Sequence, residues 1–395
     1  MTSYFSSLSN LTQQLPWVPN TPNIPVRIPN DDTTFDPKEY PNVVFLAKGK
    51  LSGKVHLVHG GPESDSTGLG LISTRIWVVR ESDKNQVTIS PIFDQRTHTF
   101  YLEGPSDFTS NSIYHETTIQ YPRATLAAES LTVESPNTSL QGNQLFDLFF
   151  DTIKTALTNG SVSLDGVQTD VAQIHTTNGS IGGVYDAGHV DFASSNGSIM
   201  AKLNIRDARD GRQSVVSTKT SNGLIDLHVT VTETARGVWM ENVTRNSNLA
   251  VGTLLGKADR ASFISSTTSN GRIDFNLDAS QSGQPLEVAN KSTNGSVTSS
   301  IMIPENQRFQ GAVETSNSSA NVNLTEAFQG AFELNTSNAS AKVEGSNLVL
   351  EQDKKASKRG YRRGNGTGKI KVHSSNGPVS LRFYPAGDSQ ASIPF

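Results

Sequence analysis

One short motif dominates the chain: one or, in most copies, two hydroxyl residues, an asparagine and a glycine, followed by alternating apolar residues. Its clearest copies are LTNGSVSL at Asn159, TTNGSIGG at Asn178, SSNGSIMA at Asn196, TSNGLIDL at Asn222 and TSNGRIDF at Asn270, with STNGSVTS at Asn294 and SSNGPVSL at Asn376. Weaker copies stand at Asn137, Asn248, Asn317 and Asn338. Successive asparagines lie 22, 19, 18, 26, 26, 22, 24, 23, 21 and 38 residues apart, a period that signals a repeat architecture. In QGAFELNTSNASAKVEG the apolar residues alternate before the corner (Phe332, Leu334) and after it (Ala341, Val343), so each unit reads as strand, polar corner, strand.

Two architectures accommodate such a unit. Asn-Gly between alternating strands is a hairpin signal, which would give a meander or a propeller. The arms are short for independent hairpins, however, and the corner chemistry is nearly constant. Like corners stacked at about 4.8 Å would let asparagine amides form a ladder along an axis. The expectation is therefore an all-β, parallel β-helix-like solenoid of about eleven rungs. Thr, Ser and Asn suit the corner by bonding to nearby backbone, and glycine by accepting positive φ.

The repeat occupies residues 129–385. Before it, residues 42–128 contain strand-like runs such as KVHLVHGG and LISTRIWVVRE without the asparagine signature, expected to form an antiparallel N-terminal β-module capping the first edge. Residues 1–41 carry seven prolines between Pro16 and Pro41, which favour extended backbone, and read as a Pro-rich disordered tail. A basic insertion, residues 351–368, reads as an exposed loop holding Lys354, Lys355, Lys358, Arg359, Arg362 and Arg363, and residues 386–395 as a C-terminal tail.

The string of T-S-N-G-x-I units across roughly residues 130–385 resembles the putative-adhesin repeat family of bacteria and its fungal relatives. The N-terminal module followed by Asn-Gly repeats looks more like the fungal forms. That resemblance implies a parallel β-solenoid with no established enzymatic activity.

Composition narrows function further. Net charge is −4, with 33 Lys and Arg against 37 Asp and Glu, and no basic footprint for nucleic acid stands out. Cysteine is absent, which removes disulfides, thiolate metal sites and a cysteine nucleophile. No apolar run is long enough for a transmembrane helix, and MTSYFSSLSNLTQQLPWVPN does not read as a secretory leader. The chain reads as cytoplasmic, or as a cell-surface protein if the natural start lies upstream. Sequons at Asn159, Asn178 and Asn196 coincide with corners, where a glycan would disrupt a ladder.

No catalytic or cofactor motif is present. His56 and His59 are spaced as H-x-x-H, but three residues apart on a strand they face opposite sides. Asp226 and Asp274 occupy the same place in their units and face outward, at about 10 Å if two rungs apart; they are the candidate carboxylates of a polysaccharide-cleaving alternative. Leu145 to Leu157 (LFDLFFDTIKTAL) has helical apolar spacing and reads as a short helix or as a strand entering the corner at Asn159. With the basic insertion it would serve a peripheral membrane scaffold. The leading expectation is a non-enzymatic binding solenoid, without metal or cofactor, that contacts protein or glycan through a long face.

Overall fold

Ahead of Asn222, the inward-facing residues are Val216, Thr218 and Thr220; after it they are Ile225, Leu227, Val229 and Val231. Strict period-two burial on both sides of a sharp corner makes each unit a folded pair of strands with one apolar face. Such a pair cannot bury that face alone, so successive pairs stack. The computed structural model describes residues 24–26, 32–78, 81–106, 113–364 and 366–385.

The N-terminal strands are β1 (Ile24–Val26), β2 (Asp32–Phe35), β3 (Asn42–Lys48), β4 (Leu51–His59), β5 (Gly70–Val78), β6 (Thr88–Asp94), β7 (Thr97–Glu103) and β8 (Ile113–Tyr121), with a single-turn helix α1 (Pro62–Thr67) between β4 and β5. The repeat supplies β9 (Ala127–Ser135), β10 (Thr138–Gly142), β11 (Phe149–Leu157), β12 (Val162–Thr176), β13 (Ile181–Ser194), β14 (Ile199–Ile205), β15 (Ser214–Thr220), β16 (Ile225–Val231), β17 (Val238–Val243) and β18 (Leu249–Leu255). It continues through β19 (Ser262–Thr268), β20 (Ile273–Asp278), β21 (Leu286–Ser292), β22 (Val297–Met302), β23 (Phe309–Thr315), β24 (Ala320–Thr325), β25 (Gly330–Thr336) and β26 (Ala341–Glu344). The chain closes with β27 (Leu348–Lys354), β28 (Ser357–Arg362), β29 (Gly368–Ser374) and β30 (Val379–Tyr384).

Arms that precede a corner form one parallel sheet, here sheet A, in the order β7-β3-β9-β11-β12-β13-β15-β17-β19-β21-β23-β29-β25. Arms that follow form sheet B, in the order β8-β4-β10-β12-β13-β14-β16-β18-β20-β22-β24-β30-β26. The long strands β12 and β13 each belong to both: β12 turns through a bulge between Asp165 and Val167, where Gly166 takes φ 81°. Thirteen rungs result, a stack roughly 60 Å long at about 4.8 Å per strand. The two inner faces meet in one continuous core running from Val43 to Phe383.

The count exceeds eleven because the N-terminal module contributes rungs of its own. Its antiparallel pairings are those of β1 and β2 with β5, β5 with β8, and β6 with β7. In contrast β3 and β4 pair parallel with β7 and β8 on one side and with β9 and β10 on the other. The antiparallel strands β5 and β6 cover the open edge of the outermost N-terminal rung, β7/β8, whose donors and acceptors would otherwise be unpaired. Part of the Pro-rich segment joins this cap, since β2 pairs with β5 and Phe35 is buried. The rest of it, residues 1–23 and 27–31, lies outside the described residues, as does the C-terminal segment 386–395.

At the other end the basic insertion is a hairpin rather than a free loop. β28 pairs antiparallel with β25 and β27 with β28, closing the edge of sheet A. Arg362 is buried there: it donates to the carbonyls of Glu326 and Phe328 and lies 5.9 Å from the Phe383 ring centroid. The run Leu145 to Leu157 is likewise not a helix. Residues 149–157 are the strand β11, and Leu145, Leu148, Phe150, Ile153 and Leu157 are buried, so most of the apolar side chains of this run lie inside the core. Helical spacing arose because Leu145 and Leu148 sit in the preceding turn, where period-two alternation does not apply.

Candidate functional site

The corners form an unbroken ladder. Each asparagine donates Nδ2–H to Oδ1 of the asparagine one rung away: Asn159 to Asn137 (2.5 Å), Asn178 to Asn159 (2.7 Å), Asn196 to Asn178 (2.7 Å) and Asn222 to Asn196 (2.7 Å). Beyond them Asn294 donates to Asn270 (2.6 Å) and Asn317 to Asn294 (2.7 Å). Asn248 is not a member. Asn246 donates to Asn222 and accepts from Asn270, because the register sets Leu249 opposite both Ile225 and Ile273, and the residue three places before it is Asn246. Asn248 instead accepts from the backbone N–H of Arg272.

A second ladder runs just inside the first. The hydroxyl two places before most corner asparagines is buried and bonds twice. Thr220 Oγ1 donates to the carbonyl of Gly197 on the neighbouring rung (3.1 Å) and accepts from the N–H of Gly223 in its own corner (3.1 Å). Thr176, Ser194, Ser292 and Ser374 repeat this pair of bonds. Glycine is favoured by proximity rather than by positive φ: on the present backbone a Cβ on Gly223 would stand 2.0 Å from the Gly197 carbonyl oxygen, and the corner glycines are absent from the positive-φ set. Where Ser247, Ser318 and Ala339 take the glycine position, no bond from that N–H to the hydroxyl forms among the described residues.

These ladders organise the outer face of sheet A into straight columns. Seven residues before the corner stand Val215, Trp239 and Phe263, in register on adjacent strands. Trp239 is 49% exposed and Val215 37%, and the Trp239 and Phe263 rings lie 4.4 Å apart at 30°. Surface strand positions elsewhere on this face are mostly polar, so three large apolar neighbours in one column form a patch with a direction, along the solenoid axis.

Three residues before the corner lies another column: Ala156, His175, Ala193, Lys219 and Val243. With the corner residues beside them they line a groove of about 500 Å³. Its floor is low where Ala156 and Ala193 place only a methyl group. Its rim is made of hydroxyls and ends at Arg245. His175 is held by Asp191 (2.9 Å) and Lys219 by Glu241 (2.9 Å) from the adjacent column.

Asp226 and Asp274 do stand in one column of sheet B, with Ala250 between them. Arg272 grips Asp274 through Nε (2.7 Å), and Asp226 lies 3.9 Å from His228 Nε2. That column runs from Thr118 through His56, Gly182 and Met200 to Thr298, Asn321 and Ser380, and the strands bring no Phe, Tyr or Trp to it. His56 and His59 part as expected of their spacing, His56 toward Glu116 (3.3 Å) and His59 toward the Thr125 carbonyl (3.0 Å). Among the described residues no group of His, Asp and Glu could hold a metal ion, and no helix is long and apolar enough to cross a membrane.

The aromatic column and the groove were not anticipated from the sequence. The signal was present, since −7 from Asn222 and Asn270 gives Val215 and Phe263. Taking Asn248 as the intervening corner moved Trp239 out of line with them.

No family model matches the chain, and no curated protein does either. Among solved structures it is similar to a putative cell adhesion protein from Clostridium sporogenes, at 7% identity and a TM-score of 0.21 over 92% of this chain and 100% of that one. It is also similar to putative adhesins from Parabacteroides merdae (10% identity, TM-score 0.28, 89% of this chain and 95% of that one) and Parabacteroides distasonis (8% identity, TM-score 0.24, 89% and 96%).

Proposed function

We propose that this protein is a non-enzymatic binding solenoid, adhesin-like in mode, that engages an extended glycan or protein chain along the outer face of sheet A. The observation that carries this reading is the column Val215, Trp239, Phe263: an exposed tryptophan packed on a half-buried phenylalanine beside an exposed valine, in register on a parallel sheet. Aromatic side chains give large contact area at low entropic cost, and Trp is the residue type most enriched at binding hot spots. A rung repeat of about 4.8 Å offers an elongated ligand many equivalent contacts, each weak, that add through linkage.

The test is a binding screen of the full chain against immobilised polysaccharides and extended proteins, followed by Trp239→Ala on every hit. Loss of at least about tenfold in affinity, near 1.4 kcal/mol, is expected. Hits that ignore Trp239 would place the ligand on another face and end this reading.

A further inference from the structure

We infer that the groove beside the corner ladder selects a carboxylated polysaccharide, a uronate polymer, laid along the solenoid axis. This rests on the binding role proposed for sheet A and specifies the chemistry of its ligand.

The argument begins with charge. The chain as a whole carries a net charge of −4. The groove's lining nevertheless contains His175, Lys219 and Arg245 and no carboxylate; Asp191 and Glu241 in the adjacent column face His175 and Lys219, which leaves Arg245 as the unmatched charge. Arg245 has no ion pair among the described residues, and it is exposed at the groove's end. Lys219 keeps a single surface partner, Glu241, with both side chains about half exposed. Such pairs are worth little in water, so an incoming carboxylate can share or replace Glu241 at small cost. An unpartnered guanidinium presents a planar fork suited to a carboxylate.

Shape and hydrogen bonding then favour a saccharide over an acidic peptide. The rim is a row of hydroxyls, Thr158, Thr177, Ser195 and Ser221, one per rung, each able to donate and accept. The groove crosses five rungs, about 19 Å at the strand spacing, with alternating small and basic floor residues. Sugar hydroxyls can bond to that row at every rung. A peptide backbone has no exposed sheet edge here to pair with, because each strand on this face is bonded on both sides.

The experiment measures binding of the full-length protein to three probes: oligogalacturonate, the same oligomer fully methyl-esterified, and poly-glutamate of matched length. The expected result is binding of oligogalacturonate, at least tenfold weaker binding of the ester, and weakening with added NaCl. Lys219→Gln and Arg245→Gln should each cost about five- to tenfold, while Arg382→Gln on the outer face of sheet B costs nothing. Unchanged melting temperatures in all three variants exclude misfolding as the cause. Equal affinity for the ester, or indifference to Lys219 and Arg245, overturns the inference, and continued sensitivity to Trp239→Ala would then leave the wider role of sheet A standing. Poly-glutamate bound as tightly, with the same variant sensitivity, overturns the saccharide assignment in favour of an acidic protein. Failure of every probe to bind also overturns it.

Discussion

Asn376 donates its side-chain amide to Asn317, 59 residues earlier in the chain but one rung away at 2.7 Å, and Asn338 then donates to Asn376 at 2.6 Å. The last rung in sequence, β29 and β30, is therefore the next-to-last in space, inserted between β23/β24 and β25/β26. The N-terminal end mirrors it, with β3/β4 set between β7/β8 and β9/β10.

That insertion makes truncation more costly than its length suggests. Removing residues 366–395 should release β25 through β28 as well, because β25 and β26 lose their sheet neighbours. Limited proteolysis of the shortened chain should cut within residues 330–365. A stack that merely lost one rung, with that stretch still resistant, would contradict the topology.

The inner hydroxyl ladder should matter more than the outer amide ladder. Thr220→Val keeps shape but leaves the buried Gly197 carbonyl and Gly223 N–H without their partner, at an expected cost of about 1–3 kcal/mol. Asn222→Ala removes bonds at an exposed site, where water replaces them, and should cost about 1 kcal/mol or less. Denaturant titration of both variants ranks them, and the reverse order would show that the amide chain polarises cooperatively.

Gly223→Ala should exceed Asn222→Ala. Its Cβ would sit 2.0 Å from a backbone oxygen, so one rung must shift along the axis. Ser247, Ser318 and Ala339 show that a rung can accommodate a Cβ at this position, so the fold should survive with a loss of about 1–3 kcal/mol, which chemical denaturation measures.

The N-terminal rungs should be acid-sensitive. His115 is fully buried between Thr117 and Thr138, and desolvation pulls its pKa down to about 3. His98, stacked on Phe93 and near Phe35, is lowered to about 4 by the same cause. Unfolded chains take up these protons below about pH 6.5 while the folded protein does not, so stability is lost as pH falls from 6.5 toward 4. For His115 alone the loss is on the order of 3 kcal/mol by pH 4. Melting temperature against pH, compared between wild type and His115→Gln, checks this: the variant should show a shallower decline.

Much of this architecture was legible in the sequence because it is local. Asn-Gly corners flanked by period-two apolar residues dictate strand, corner and inward face without reference to distant residues. What escaped was set by long-range pairing. Nothing within residues 42–128 marks β3 and β4 as rungs, since their corner at Gly49 and Lys50 has no asparagine. The basic residues from Lys354 to Arg363 read as a loop because their role, closing β25, depends on which strand ends the stack. The motif TRNSN offered two asparagines, and only the register of Leu249 against Ile225 decides between Asn246 and Asn248. The same two-residue ambiguity concealed the Trp239 and Phe263 pairing. Glycine at the corner was anticipated, though for its φ freedom rather than for the carbonyl pressed against its Cα.

Because β3/β4 and β29/β30 are each clamped on both sides, tension applied from the C-terminal side enters the stack at an interior layer, and tension from the N-terminal side does so once β1 and β2 have been stripped from β5. Strands there must slide past two neighbours at once instead of peeling from an open edge. Pulled in a single-molecule experiment, the molecule should hold to a high rupture force and then give way in one large step, where a simply ordered coil would unravel rung by rung.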